Sequence, residues 1–250
     1  MTEPENILQN ISHRPWTLPL GQWRYYQEWN NALFLHWKVP IDELAQLVPK
    51  NILIDTFRGD AWISLVAFTL EKIKPKSLPS VSKISNFHEI NVRTYLTTEN
   101  KAGVYFLNIE AEKQLSVWII KLLSGLPYEK ANIDRHKNLY DQKYTSINKN
   151  KRFQFDASFM VGEIIEQKSE LDKWLSERYC LYLNKGKKRY RYEIHHKEWN
   201  LYNVEITNLK IKYKIGAITL NDKPDLVHYS DGVKVLTWQR EFLIDKSTSS

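Results

Sequence analysis

Phe87-His88-Glu89-Ile90-Asn91-Val92-Arg93-Thr94-Tyr95 alternates with a period of two, which is the signature of a β-strand. One face carries Phe87, Glu89, Asn91, Arg93 and Tyr95, and the other carries Ile90, Val92 and Leu96, with Thr94 between. A carboxylate, an amide and a guanidinium therefore line up on one side, bracketed by aromatic rings. Facing solvent, that side is an ordinary outer sheet surface. Facing a barrel lumen, it is a polar patch in an apolar cavity, the usual make-up of a small-molecule site.

Strand patterns continue on both sides of this segment. Asn31–Val39 reads as a strand, after which Pro40 opens a short helix, IDELAQLV, that Pro49 closes. A short strand follows around Ile52–Asp55, then a turn at Arg58-Gly59-Asp60 and a strand from Ala61 to Leu70. Ile73–Ser85, rich in proline and serine, reads as a long loop of the kind that serves as a lid. After a hairpin into Val104–Glu110, Lys113–Ser124 carries apolar residues at helical spacing, with Gly125 at the C-cap position. Strands are expected at Tyr128–Arg135, Leu139–Ser146 and Arg152–Val161, then a helix over Ser169–Glu177. A hairpin of Arg178–Leu183 and Lys188–His196 follows, and two strands near Leu226–His228 and Val233–Trp238 end the series. The count is about eleven strands and three short helices. The pattern predicts one antiparallel-rich α+β domain over residues 1–250, built as a closed β-barrel with peripheral helices; closure would remove exposed sheet edges. Residues 1–20 form a tail packing through Trp16 and Trp23.

Composition narrows the function. The 250 residues are 42% hydrophobic and 13% aromatic, enough for a sizeable core, so wholesale disorder is excluded. The single Cys180 excludes a disulfide framework and a multi-cysteine metal cluster, and it fits a reducing cytoplasm. No apolar run approaches the roughly 20 residues that span a bilayer, and the acidic start lacks a signal-peptide core. A cytoplasmic protein without a membrane partner is expected. The net charge of +7 concentrates at Asn148–Arg152 and Lys185–Arg191, beside expected turns where lysines keep tips solvated. No nucleic-acid module accompanies it, which argues against a nucleic-acid partner; an RNA-associated protein would instead show steeply salt-dependent binding. A small-molecule ligand is the expected partner, and homo-oligomerisation stays open.

No HExxH or HxH spacing occurs, and His195 and His196 point to opposite strand faces, so no metal or other cofactor is expected. Cys180 reads as a core thiol. His36 and His196 read as core histidines or as pocket residues able to hold a ligand or move a proton near neutrality.

Several stretches together resemble the YqjF-like family of bacterial proteins. They are His13-Arg14-Pro15-Trp16, Leu33-Phe34-Leu35-His36-Trp37-Lys38-Val39-Pro40, Ile54-Asp55-Thr56-Phe57-Arg58-Gly59-Asp60-Ala61-Trp62, Glu89–Tyr95, Gly125-Leu126-Pro127-Tyr128, and Ile194-His195-His196 with Trp199. The resemblance runs from about residue 12 to 240. It implies membership of the acetoacetate decarboxylase-like superfamily, hence a cone-shaped antiparallel barrel whose pocket wall includes the 87–95 strand. Glu89 matches the superfamily's pocket glutamate. The decarboxylases' Schiff-base lysine pair follows a Gly-aromatic-Pro segment, and this chain has Tyr128-Glu129 there. Their pocket arginine has no convincing counterpart near Arg24.

The resulting expectation is a pocket that binds a small carbonyl or carboxylate compound. Arg93 and Asn91 would hold an anionic or polar group. Glu89 would act as acid or base, and Tyr128 would donate to a carbonyl or enolate oxygen. Lys130, two residues beyond Tyr128, would share its strand face and could form an imine; otherwise it is a surface lysine paired with an acid such as Glu129. Cofactor-free enolate chemistry and a non-catalytic binding or sensing module both fit.

Overall fold

The computed structural model describes residues 1–80, 85–113, 126–138, 141–186 and 188–243. The expected helix at Lys113–Ser124, with Trp118 and the Gly125 cap, lies almost wholly outside the described residues. The chain is mainly β. Its strands are β1 (Tyr25–Val39), β2 (Leu53–Ile54), β3 (Ala61–Pro75), β4 (Phe87–Thr98) and β5 (Lys101–Ala111). They continue as β6 (Tyr128–Lys130), β7 (Asn132–Lys137), β8 (Gln142–Asn148), β9 (Phe153–Ile164) and β10 (Cys180–Lys185). The last five are β11 (Lys188–His195), β12 (Tyr202–Ile215), β13 (Ile218–Leu220), β14 (Leu226–Thr237) and β15 (Glu241–Leu243). Three helices among the described residues are short: α1 (Glu3–Gln9), α2 (Ile41–Ala45) and α3 (Glu170–Ser176). The helical share is thus smaller than an α+β label suggests.

Strand pairing runs β11-β10-β5-β4-β3-β1-β14, and β14 pairs back onto β11 through Ile194↔Thr237 and His195↔Leu236. The path therefore returns on itself. From β14 a second arm, β12-β9-β8-β7, leaves the ring. Apart from β5–β10 and β5–β6, the pairings are antiparallel.

The arm explains why β3 and β4 are buried on both faces. Leu33 and Leu35 of β1, Ile63 and Leu65 of β3, and Ile90 and Val92 of β4 pack outward against Tyr144, Phe155, Phe159 and Tyr213 of the arm. On the inner face, Phe34, Val66, Phe68 and Phe87 join Trp199 and Tyr128 in a second cluster. Fully burying such a side chain contributes about 1.5–3 kcal/mol, so an apolar run like Ala61–Leu70 suits a wall with two dry sides. The outer-surface alternative for the Glu89 face fails: Glu89 and Asn91 are 2% and 3% exposed.

Several boundaries differ from the sequence reading. β1 starts at Tyr25, not Asn31, because Asn31 has φ 55° and interrupts the alternation at a register shift between Asn30 and Leu33. β14 is continuous through Ser230-Asp231-Gly232, which reads as a turn; Gly232 has φ 136° and faces the Asn30 irregularity. The 128–135 strand divides into β6 and β7, and β12 is additional. The N-terminal segment holds α1, opened by Thr2 N–H donating to Glu5 Oε2 at 2.7 Å. Its Ile7 packs with Trp23, Tyr26, Leu236 and Trp238. Ser169 caps α3, accepting from Asp172 N–H at 3.1 Å while Asp172 Oδ2 accepts from Ser169 N–H at 2.8 Å. No helix of the described residues is long and apolar enough to cross a membrane.

Candidate functional site

The inner face of β4 borders a cavity of about 170 Å³ inside the strand ring, many times the ~15 Å³ that admits one water. Phe34, Val66, Phe68, Phe106 and Trp199 supply apolar wall. Glu89, Asn91, Arg93, Tyr128 and His196 also line it.

Glu89 is buried and lacks a cationic partner among the described residues. Its Oε2 accepts from Tyr128 Oη at 2.7 Å, and its Oε1 accepts from Asn91 Nδ2 at 3.0 Å. Burial pushes its carboxyl up to about 7, against the pull of those two hydrogen bonds toward the ionised form. Glu89 therefore exchanges a proton in the physiological range. Tyr128 reaches it because β6 pairs in parallel with β5, setting Tyr128 opposite Ile109, which is itself opposite Asn91. Burial and the adjacent carboxylate push the Tyr128 hydroxyl well above 10.

Arg93 is 8% exposed, and among the described residues it makes neither an ion pair nor a hydrogen bond. Its Nε is buried without a partner, and its guanidinium lies 5.6 Å from the centre of the Phe34 ring. Glu89 and Arg93 share a strand face yet do not pair. A second guanidinium, Arg178, also lines the cavity but is committed elsewhere. It pairs with Asp55, donates from Nε to the Trp174 carbonyl at 2.6 Å, and stacks on Tyr95 and Trp174.

His196 borders the cavity beside Trp199. Its Nδ1 donates to the Lys197 carbonyl at 2.7 Å, and burial lowers its imidazole to about 4, so the ring is neutral at physiological pH. It offers a polar edge but not a positive charge.

Two expected residues are elsewhere. His36 lies on the same face as Phe34 but packs behind that ring and does not border the cavity. Its Nδ1 meets Ser64 Oγ at 2.6 Å, and Ser64 Oγ meets Tyr95 Oη at 2.5 Å. On the other side His36 Nε2 meets His228 Nδ1 at 3.3 Å, and His228 Nε2 meets Asp172 Oδ1 at 3.0 Å. One hydrogen per contact satisfies this chain with both histidines neutral, if Tyr95 gives its one hydrogen to Ser64 at 2.5 Å in place of the Leu175 carbonyl at 3.2 Å and each group onward donates toward Asp172. Burial holds His36 well below its usual range, in keeping with that assignment. His36 is a core residue. Lys130 is the second correction: β6 ends there, Tyr128 is buried, and Lys130 is exposed and outside the cavity wall. Among the described residues no lysine lines the cavity. Cys180 is a buried thiol that burial pushes up to about 11, which leaves it unreactive.

Arg178 has no visible signal in the sequence, because its position depends on Asp55, 123 residues away.

Residues 26–234 match the DUF2071 family, described as "Uncharacterized conserved protein (COG2071)". The chain is 36% identical over 226 residues to "Uncharacterized protein YqjF" of Bacillus subtilis (strain 168), covering 89% of this chain and 93% of that one. Among solved structures, an acetoacetate decarboxylase superposes with a TM-score of 0.64 at 14% identity, covering 98% of this chain and 99% of the other. The enduracididine biosynthesis enzyme MppR complexed with pyruvate gives 0.60 at 10% identity, covering 93% of this chain and 94% of the other. These two likenesses are of fold.

Proposed function

The chain belongs to the DUF2071 family, and from that premise we propose that its ring of strands is a closed, cone-like barrel binding a small carbonyl or carboxylate compound in its cavity. The observation that carries this reading is Glu89: a buried carboxyl with no cationic partner among the described residues, hydrogen-bonded to Tyr128 at the wall of a mainly apolar pocket that also holds an unpaired arginine. A titration near neutrality suits a group that takes and returns protons at physiological pH. The fold likeness to a structure described as complexed with pyruvate supports a carbonyl ligand.

The chemistry differs from imine catalysis. Tyr128 and Glu129 stand where the decarboxylase-like resemblance would require lysines, and Lys130 points away from the cavity. Instead, ionised Glu89 removes a proton from the carbon beside the ligand carbonyl. The C–H electron pair forms the enolate double bond, and the carbonyl π pair moves onto oxygen, where the Tyr128 hydroxyl swings from Glu89 to donate. Returning the Glu89 proton to carbon, or expelling a group from the neighbouring carbon, completes a tautomerisation, dehydration or lyase step. Cytoplasmic action fits the single buried thiol.

A second reading is a binding or sensing module. Tyr128 donates to Glu89 itself, and a chain that only binds would keep that bond. The two readings separate in D2O with acetone, butanone, pyruvate, acetoacetate and 6-oxoheptanoate as probes. Catalysis predicts exchange of α-hydrogens for deuterium by the wild type, its loss in Glu89→Gln, and retained affinity. Ligand-induced thermal stabilisation without exchange would assign the binding role, and neither effect with any probe would refute both.

A further inference from the structure

The register places five residues in one row across the cavity wall. Phe34 of β1 faces Val66 of β3, Val66 faces Asn91 of β4, Asn91 faces Ile109 of β5, and Ile109 faces Tyr128 of β6. At about 4.8 Å per strand, the two ends of this row are roughly 19 Å apart along the wall. The available chemistry sits at opposite ends. Arg93 leans from β4 toward β1, its guanidinium over the Phe34 ring. Glu89 leans the other way, its Oε2 on the Tyr128 hydroxyl. The two side chains therefore diverge from a common strand face. The Arg93 charge bears on His36 and Arg178, whereas the Glu89 carboxyl responds to burial, Asn91 and Tyr128. Between the two ends the wall carries the apolar side chains of Val66, Phe68 and Phe106, interrupted by the Asn91 amide.

Arg93 and Glu89 are four residues apart along β4, about 13 Å at ~3.3 Å per residue, and their side chains lean apart, so a ligand that touches both must be extended. In a 2-oxo or 3-oxo acid, carbonyl and carboxylate are separated by no more than one methylene, so such a ligand reaches one end only. Building on the carbonyl/carboxylate reading above, we propose that the cavity selects an extended oxo-carboxylate. Its carboxylate rests on Arg93, its carbonyl rests at Tyr128–Glu89, and an apolar aliphatic or aromatic linker joins them. Arg93 supplies the single uncommitted positive charge among the described wall residues, so the ligand is a monoanion. The linker's contacts with the Phe and Val walls supply affinity that a short keto acid cannot gain.

Calorimetry with defined probes tests the spacing. The extended probes are 6-oxoheptanoate and 4-acetylbenzoate, the short ones pyruvate and acetoacetate, and the single-ended controls heptan-2-one and heptanoate. The expected result is about ten-fold or greater preference for the extended probes over the short ones, equivalent to about 1.4 kcal/mol. Arg93→Gln should reduce 6-oxoheptanoate to the affinity of heptan-2-one, and Tyr128→Phe should reduce it to that of heptanoate. The wild-type series stands alone if either variant fails to fold. Pyruvate or acetoacetate binding as tightly as 6-oxoheptanoate would overturn the extended-ligand inference while leaving the broader reading intact. No binding by any of the six probes would overturn both.

Discussion

Replacing Glu89 with glutamine should make the protein more stable, and only at the alkaline end. In the folded chain this carboxyl holds its proton up to about 7, against an ordinary 4.5 when unfolded. Between those values the folded state binds more protons, so stability falls as pH rises through that window and the penalty is fully present above it. The full rise corresponds to about 3 kcal/mol, of which about 2.5 kcal/mol develops between pH 5 and pH 8.5. The substituted side chain keeps the shape and can still accept from Tyr128, but it does not titrate. Once the Asn91 side-chain amide turns over, the glutamine amide can donate to Asn91 Oδ1, which is buried without a partner. Urea unfolding of both proteins at pH 5 and pH 8.5 isolates the effect, since every other group titrates in both. The variant should gain about 2.5 kcal/mol relative to wild type between the two pH values, and its relative melting temperature should rise by roughly 5–10 °C. A stability difference that is the same at both pH values would refute a perturbed Glu89.

Tyr128→Phe removes a hydrogen bond that favours the ionised carboxylate, so the pH window of Glu89 should move upward, read as the midpoint of the stability difference between Tyr128→Phe and the Glu89→Gln/Tyr128→Phe double variant. Gly103→Ala would set a Cβ 2.5 Å from the Cys180 carbonyl oxygen, where β10 crosses close to β5. It should cost about 3 kcal/mol in urea unfolding, since backbone rather than a flexible side-chain tip must yield. Cys180 should react with a disulfide reagent over hours in the native protein at pH 8 and within seconds in urea, because burial raises its thiol to about 11. Rapid native labelling would place it outside the core.

The readable parts of the sequence are those where local periodicity and long-range packing agree. Residues 87–98 alternate because one face of β4, with Ile90 and Val92, packs on the apolar arm while the other borders the cavity, so Glu89, Asn91 and Arg93 can be assigned to one face before their surroundings are known. β12 escapes such a reading for a local reason. Val204 and Ile206 point inward on even numbers, whereas Leu209, Ile211 and Tyr213 point inward on odd ones, with a register shift between Ile206 and Asn208. One β-bulge reverses the phase, and a pattern of period two cannot survive that. The same mechanism hides the first part of β1, which precedes Asn31.

Spacing places a side chain on a face but does not say how deep it lies along that face. His36 shares its face with Phe34 yet lies behind the ring, tied to Ser64 and His228. Lys130 shares a strand with Tyr128, but three-residue β6 ends there and its last side chain turns to solvent. Arg178 is held in the cavity wall by Asp55 and by the Tyr95 ring, distant contacts that no local pattern encodes.

The most direct measurement is a carbon-13 NMR titration of the Glu89 side-chain carboxyl in glutamate-labelled protein, its resonance identified by its loss in Glu89→Gln. The account predicts half-protonation near pH 7 in the free protein. A midpoint near the ordinary 4.5 would contradict it, because Glu89 would then be an ionised, solvated carboxylate and not the buried proton-exchanging group of an apolar pocket.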